Sequence, residues 1–197
     1  MVLLLMLLAG PASAQRWPSD LWHEGKIIMT DGDTITTLVK YDLEKDIVQY
    51  ARTEENVVVL SARKVLWFEI FDQTVKAYRQ FFALPYSTGG SYRSPVFFEL
   101  LAEGKITLLS REALEYRSVP VGHYGASYSR LVLVYRYFLM NEEGDINPFT
   151  GKKHELLDMM GKNADVVEKY IRANRLKVEE KSDFARIIAY YNSLKGI

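Results

Sequence analysis

The sequence predicts an α+β fold: an antiparallel β-meander of roughly eight strands, twisted or half-closed, followed by three C-terminal α-helices packed on the sheet. Over residues 22–140, runs rich in Val, Ile, Phe, Tyr and Trp are separated by turn residues about every 8–12 positions, which is typical of a meander. After Pro148 the apolar spacing changes from the period of two of a strand to the 3.6 of a helix. Large sheets usually curl rather than stay flat.

The first residues are typical of a secretory signal peptide. Residues 1–8 are apolar, and Ala12-Ser13-Ala14 supplies the small residues of a cleavage site before Gln15. The apolar run is shorter than the roughly 20 residues that span a bilayer. We therefore expect residues 1–14 to be a signal peptide that export removes, and the protein to be periplasmic or secreted.

The remaining residues, 15–197, suit a single α+β domain that is β-rich over 22–140 and helical over 148–195. Lys plus Arg and Asp plus Glu are equal at 25 each, and no basic run is present, so we expect no nucleic-acid partner. No second long apolar stretch occurs, so we expect no membrane-spanning segment. Cysteine is absent, which excludes a disulfide, a thiolate nucleophile and an acylated cysteine in this sequence. A soluble exported protein fits these features.

The early strands are marked by their turns. Asp31-Gly32-Asp33 lies between β-rich residues 22–30 and 35–41, and Asp-Gly in that position is a strong hairpin signal. Residues 57–71 contain the most β-rich run, and the strand over 65–71 should be central and covered on both sides, because both of its faces are largely apolar. Val65, Trp67, Glu69 and Phe71 share one face, and Leu66, Phe68 and Ile70 share the other.

Two segments rich in Tyr, Gly and Ser, residues 84–95 and 116–130, are predicted to be loops. Residues 96–115 between them should form a hairpin that turns at Glu103-Gly104-Lys105, and residues 131–140 should form the last strong strand. Because a hairpin brings its open ends together, the two loops should share one concave surface.

That surface is the predicted ligand site, since aromatic faces can stack on a sugar ring or a peptide while guanidinium groups hold a carboxylate or phosphate. Plain solvated connections are the alternative for both loops. The candidate ligand-binding residues are Tyr92, Arg93, Tyr116, Arg117, His123, Tyr124, Tyr128 and Arg130.

Three short helices, each with one apolar face, should cover the sheet. The third has the longest stripe, and we expect it to be docked. The stripes are Leu156, Leu157 and Met160; Val167, Tyr170 and Ile171; and Phe184, Ile187, Ile188, Tyr191 and Leu194.

Catalytic and metal signatures are weak. His23, His123 and His154 do not fall at ligand spacing, and the acidic turns depart from a calcium loop, so we predict no metal and no cofactor. Motifs that mark a nucleophile are missing. Glu69 and Glu99 lie among aromatic residues, where burial favours a general acid, and pairing with a neighbouring Lys or Arg is the alternative.

The chain resembles a class of uncharacterised exported proteins from Bacteroidetes-type bacteria, with motifs that are structural rather than catalytic. The resemblance covers most of the chain after residue 14 and implies export and a shared fold, but no activity. The segments that carry it are residues 31–35 (DGDTI), 97–104 (FFELLAEG), 108–112 (LLSRE) and 190–194 (YYNSL).

These observations favour a non-catalytic binding or structural module of the cell envelope, with an envelope protein, a peptide or a glycan as partner. The alternative is a secreted hydrolase whose site is assembled from distant carboxylates, which spacing in one sequence does not reveal.

Overall fold

The structure is a computed structural model that describes residues 16–53, 56–87, 92–121 and 126–194. The predicted signal peptide lies outside the described residues. Within them, ten strands form one antiparallel sheet. The strands are β1 (His23–Met29), β2 (Thr34–Asp42), β3 (Ile47–Thr53), β4 (Asn56–Ser61), β5 (Val65–Asp72), β6 (Ala77–Tyr86), β7 (Ser94–Ala102), β8 (Thr107–Val121), β9 (Ala126–Met140) and β10 (Ile146–Pro148).

The α+β class and the large antiparallel sheet are confirmed, but the described sheet has ten strands rather than eight. One extra strand arises because residues 57–71 are not a single strand: Lys64 N–H donates to Ser61 C=O and closes a turn between β4 and β5. The other is β10, which is short and follows the polar turn after β9.

The strand order is β10-β9-β8-β7-β6-β5-β1-β2-β3-β4, so consecutive strands are neighbours except β4 and β5. The sheet is not closed, because β4 and β10 are separate ends. It is nevertheless curled: the Tyr41 hydroxyl on β2 donates to Glu112 Oε2 on β8 at 2.8 Å, although these strands are five positions apart in the sheet. The curl encloses a core that includes Ile27, Phe68 and Phe81.

Strand β5 is central in the sheet but not covered on both faces. Phe68 and Ile70 are fully buried, whereas Trp67 and Phe71 on the opposite face are only half-buried. Leu66 does not join Phe68, since it is 49% exposed. The cause is a β-bulge: β5 gains one residue against β1 between its Val65 and Trp67 pairs, so Val65 enters the core instead.

Three segments after the sheet are α-helical: α1 (Lys153–Met160), α2 (Ala164–Asn174) and α3 (Lys181–Ser193). A 3₁₀ turn over Gly161–Asn163 joins α1 directly to α2, so the described chain has two helical bodies rather than three. In the described residues no helix is long and apolar enough to cross a membrane.

Helix α3 packs on β7 and β8. Phe184, Ile187 and Ile188 are fully buried there, as the predicted stripe requires. Asn192 fixes the end of the helix to the β7–β8 turn, because its side chain accepts from Ile106 N–H at 3.1 Å and donates to Ile106 C=O at 2.8 Å.

Candidate functional site

The interior of the curled sheet holds a cluster of ionic side chains centred on Arg79 of β6. This guanidinium is 6% exposed, and its five N–H groups match five hydrogen bonds. Nε and Nη2 bind the two oxygens of Glu99 at 2.8 and 2.9 Å, and Nη1 donates to Asp72 at 2.9 Å. Nη1 also donates to Tyr41, and Nη2 to Glu112. Side chains from β2, β5, β7 and β8 therefore meet on one arginine.

Glu99 has a second cation, Lys181, at the start of α3. The Lys181 ammonium lies 2.6 and 2.7 Å from the two Glu99 oxygens, and the Ser110 hydroxyl donates to Glu99 at 3.1 Å. The helix is thus held to the sheet by charge as well as by apolar contact. We refer to this group as the Arg79 cluster; it consists of Tyr41, Asp72, Arg79, Glu99, Ser110, Glu112 and Lys181.

The protonation states in the Arg79 cluster follow from burial and from its cations. Burial disfavours the carboxylate of Glu99, but hydrogen bonds with Arg79 and the charges of Arg79 and Lys181 outweigh it and hold the pKa of Glu99 below its usual range. Burial lowers the pKa of Lys181 despite the attraction of Glu99. Burial also raises the pKa of Tyr41 well above its usual range, so this hydroxyl stays a donor.

A cleft of about 320 Å³ opens beside the Arg79 cluster and is lined in part by Tyr41 and Glu112. Glu112 is 8% exposed, and its two oxygens accept from Tyr41 and Arg79. Across the described residues, every buried side-chain N or O atom has a hydrogen-bond partner, and no group of acidic, His or Cys side chains could hold a metal ion. The cluster therefore joins strands and leaves no carboxylate unengaged.

The predicted loop over residues 116–130 is wrong. Strand β8 extends to Val121 and strand β9 begins at Ala126, and eleven consecutive residue pairs, from Arg111 with Arg136 to Val121 with Ala126, lie beyond the pairing with β7 and β10. We call residues 111–121 and 126–136 the β-arm. Tyr, Val and Ser are compatible with an exposed ribbon, so their composition misled the prediction.

Residues that pair across the β-arm have their side chains on the same face, and successive pairs alternate between its two faces. The two faces differ in composition. One face carries Leu114 opposite Leu133 and Tyr116 opposite Leu131. The other, which we call the arginine face, carries the pairs Glu115–Val132, Arg117–Arg130 and Val119–Tyr128.

Arg117 and Arg130 are directly opposite each other and exposed, and neither has an ion pair with another described residue. By contrast, Arg136 lower on the β-arm is paired with Glu115 at 3.0 Å. Like charges directly opposite in a sheet are destabilising. Arg117 and Arg130 therefore lie on the arginine face without an ion-pair partner among the described residues, since the carboxylate of Glu115 on that face is paired with Arg136.

The predicted site residues do not form one surface. Arg93 lies 3.4 Å from Asp145, just before β10 and near the open end of the β8–β9 hairpin. Arg117 is ten residues further along β8 than Thr107 at that end, or about 33 Å. The predicted hairpin turns where expected, but β8 continues past residue 115, and Arg93 contacts Asp145 in the turn before β10.

Of the predicted residues, the structure brings together Arg117, Tyr128 and Arg130. Tyr116 is on the opposite face of the β-arm, and Tyr92, the residue before Arg93, lies near the other end of the β8–β9 hairpin. His123 and Tyr124 lie outside the described residues.

Sequence reasoning missed most of the Arg79 cluster. Only Glu99 was singled out, and the alternative of a paired carboxylate holds for it. Glu69 is half-buried and accepts from Gln80 at 2.8 Å. The available signal was Arg79 itself, which lies two residues before Phe81 and so shares its buried face.

No family model matches the chain, and neither the curated proteins nor the solved structures contain a significant match to it. The resemblance to exported proteins of Bacteroidetes-type bacteria stays a prediction.

Proposed function

We propose that this chain is a non-catalytic binding module of the cell envelope, and that its contact surface is the arginine face of the β-arm. The observation that carries the proposal is the exposed Arg117–Arg130 pair, which forms no ion pair with another described residue. An anionic group between the two guanidinium groups would remove their repulsion and accept charge-assisted hydrogen bonds. Tyr128, on the same face, adds an aromatic surface beside them.

The contrast with the Arg79 cluster favours binding over chemistry. The carboxylates that converge inside the sheet are engaged by Arg79, Lys181 or Tyr41, so a hydrolase built on them would first have to release one. The cations of the arginine face need no such rearrangement. The hydrolase remains the alternative prediction.

Export is part of the proposal and is supported by the apolar residues 1–8 followed by Ala12-Ser13-Ala14. Mass spectrometry of the protein recovered from its producing cell tests it, with Gln15 expected at the new N-terminus. An intact Met1 would contradict export.

The binding proposal is tested with fluorescent hexaglutamate and hexalysine peptides at low salt, read by anisotropy. We expect hexaglutamate to bind and hexalysine not to bind. Arg117→Ala with Arg130→Ala should weaken hexaglutamate binding by about tenfold or more, because a hydrogen bond to a charged group contributes about 1.5–3 kcal/mol. The matched control is Arg172→Ala on α2, which removes an exposed arginine that is already paired with Glu168 at 2.9 Å and lies outside the β-arm, so it should have a much smaller effect. Equal affinities of the double variant and the unmodified protein would contradict the proposal.

A further inference from the structure

We infer that the partner of the β-arm is an extended acidic polypeptide that adds as a strand to the free edge of β9. The inference rests on the proposed function and names the class of its partner. Strand β10 pairs only with residues 138–140 of β9, so in the described part of the chain no strand lies beside the rest of that edge. A two-stranded ribbon is at best marginally stable alone, and a third strand stabilises it.

The hydrogen-bond pattern identifies which backbone groups are available. Phe149 N–H donates to Tyr137 C=O at 2.8 Å, so Tyr137 directs its backbone groups away from β8. Because these directions alternate along an antiparallel strand, Leu131, Leu133 and Tyr135 also present N–H and C=O groups to the free edge. A polypeptide strand can pair with this row, as in other cases of strand addition.

The outer edge of β8 is the poorer of the two edges. Residues of β8 opposite Leu131 and Leu133 also face outward, and the same alternation makes Pro120 an outward-facing position. Proline has no N–H to donate, which explains why it is tolerated in this strand and interrupts the donor row on this edge. The β9 edge has no proline between residues 126 and 136.

A groove of about 720 Å³ continues the free edge of β9 toward the body of the protein. Its lining includes residues 133–138 of β9, residues 148–151 after β10, the residues Val178, Glu179 and Glu180 before α3, and Arg117 of β8. A strand added to β9 would follow the line of β10 toward this groove, where Tyr137 and Phe149 provide apolar contacts. Glu179 and Glu180 in the groove would repel carboxylates, so the acidic side chains of the strand belong on the arginine face.

Charge selects an acidic segment over a second copy of this chain. A two-fold pairing of β9 with itself about Leu131 would place the two Arg130 residues diagonally, about 7–8 Å apart, each beside its own Arg117. A pairing about Leu133 would set Arg130 directly opposite the Arg136 of the other copy. Both arrangements add like charges to an arginine pair that has no ion-pair partner among the described residues. A strand with carboxylates on the arginine face neutralises it.

The test uses a ten-residue peptide of alternating Glu and Val, whose strand form has all carboxylates on one face. The paired variants are Leu131→Pro and Tyr116→Pro, which are cross-strand neighbours and whose N–H groups both point outward, on opposite edges. Neither substitution removes a β8–β9 hydrogen bond. We expect Leu131→Pro to weaken peptide binding about tenfold or more, and Tyr116→Pro to change it less than about twofold. Leu131→Ala should retain binding, which separates the backbone group from the side chain.

Two N-methylated peptides, one methylated on every Glu nitrogen and one on every Val nitrogen, test strand geometry without altering the protein. Because N–H directions alternate along a strand, either the Glu or the Val N–H groups face β9, so only one of the two methylated peptides should lose binding. If both bind like the parent peptide while Arg117→Ala with Arg130→Ala abolishes binding, strand addition is wrong and the proposed function stands. If Arg117→Ala with Arg130→Ala binds the peptide normally, strand addition and the proposed function are both wrong. A dimer of the unmodified protein that Leu131→Pro dissociates, with no peptide binding, would replace the acidic peptide by a second copy.

Discussion

Arg79 and Arg117 are the same residue type in opposite settings. Arg79 is enclosed by the curled sheet, where carboxylates and a hydroxyl from four other strands use all five of its N–H groups. Arg117 lies on the β-arm opposite Arg130 and is exposed, and it forms no ion pair with another described residue. A buried charge must be paired within the chain, because the desolvation free energy of an unpaired ion exceeds the net free energy of folding. An exposed charge stays hydrated without a counter-ion in the same chain, so a binding partner can supply one.

The largest expected effect is at the buried arginine. Arg79→Ala leaves Asp72, Glu99 and Glu112 in the interior without their common cation, and removing one partner of a buried ion pair costs about 3–5 kcal/mol. We expect at least that loss in the free energy of unfolding, measured by urea denaturation at neutral pH.

The matched control for this loss is Arg136→Ala, which breaks the exposed pair with Glu115 and should cost about 0–1 kcal/mol. Similar losses at the two positions would show that the Arg79 cluster does not hold the strands together.

The second expected effect is a dependence of stability on acid. The pKa values of Glu99 and Asp72 are below their ordinary 4.5 and 3.8, mainly because hydrogen bonds from Arg79 and Thr74 overcome burial. A carboxyl with a lowered pKa stabilises the fold above its unfolded pKa, and this contribution is lost as pH falls through the folded pKa. The urea midpoint should therefore fall as pH drops below about 4.5.

Glu99→Gln should lower stability at neutral pH. It should also reduce the fall of the urea midpoint at acid pH, which we call the acid limb, since one of the titrating groups is gone. Glu115→Gln, in the exposed pair with Arg136, should leave the acid limb close to that of the unmodified protein. An acid limb unchanged by Glu99→Gln would mean that Glu99 is not the group that links stability to pH.

The two regions also differ in what their sequence predicts. The α+β class, the β1–β2 hairpin at Gly32 and the turn at Gly104 follow from alternation and turn chemistry, which are local. The Arg79 cluster is not local: Glu99 pairs with an arginine 20 residues away and with a lysine 82 residues away. Such pairs depend on how the sheet curls, and no spacing rule encodes that.

The β-arm was mispredicted because of its local composition rather than because of non-local contacts. Its residues 116–130 were interpreted by composition, in which Tyr, Ser, Gly and Pro120 indicate a loop. Proline excludes a central strand, but it is compatible with an outward position on an edge, and β8 has such an edge beyond its pairing with β7. Arg117, Tyr128 and Arg130 were selected as loop residues and share one face because they belong to paired strands.

The smallest expected effect in the comparison has an unusual sign. Arg117→Glu replaces a like-charge pair with an opposite-charge pair across the β-arm, and opposite charges in that position contribute about 0.2–1 kcal/mol. We therefore expect the variant to be stabilised locally while it loses affinity for acidic peptides. Amide hydrogen exchange at Val119 and Tyr128, the next pair on the arginine face, should slow, and the gain should shrink in high salt because the charges are exposed. Adding Arg130→Glu restores a like-charge pair and should reverse the slowing. Exchange that is unchanged in Arg117→Glu would show that Arg117 and Arg130 do not repel each other, and the binding proposal would lose the repulsion on which it depends.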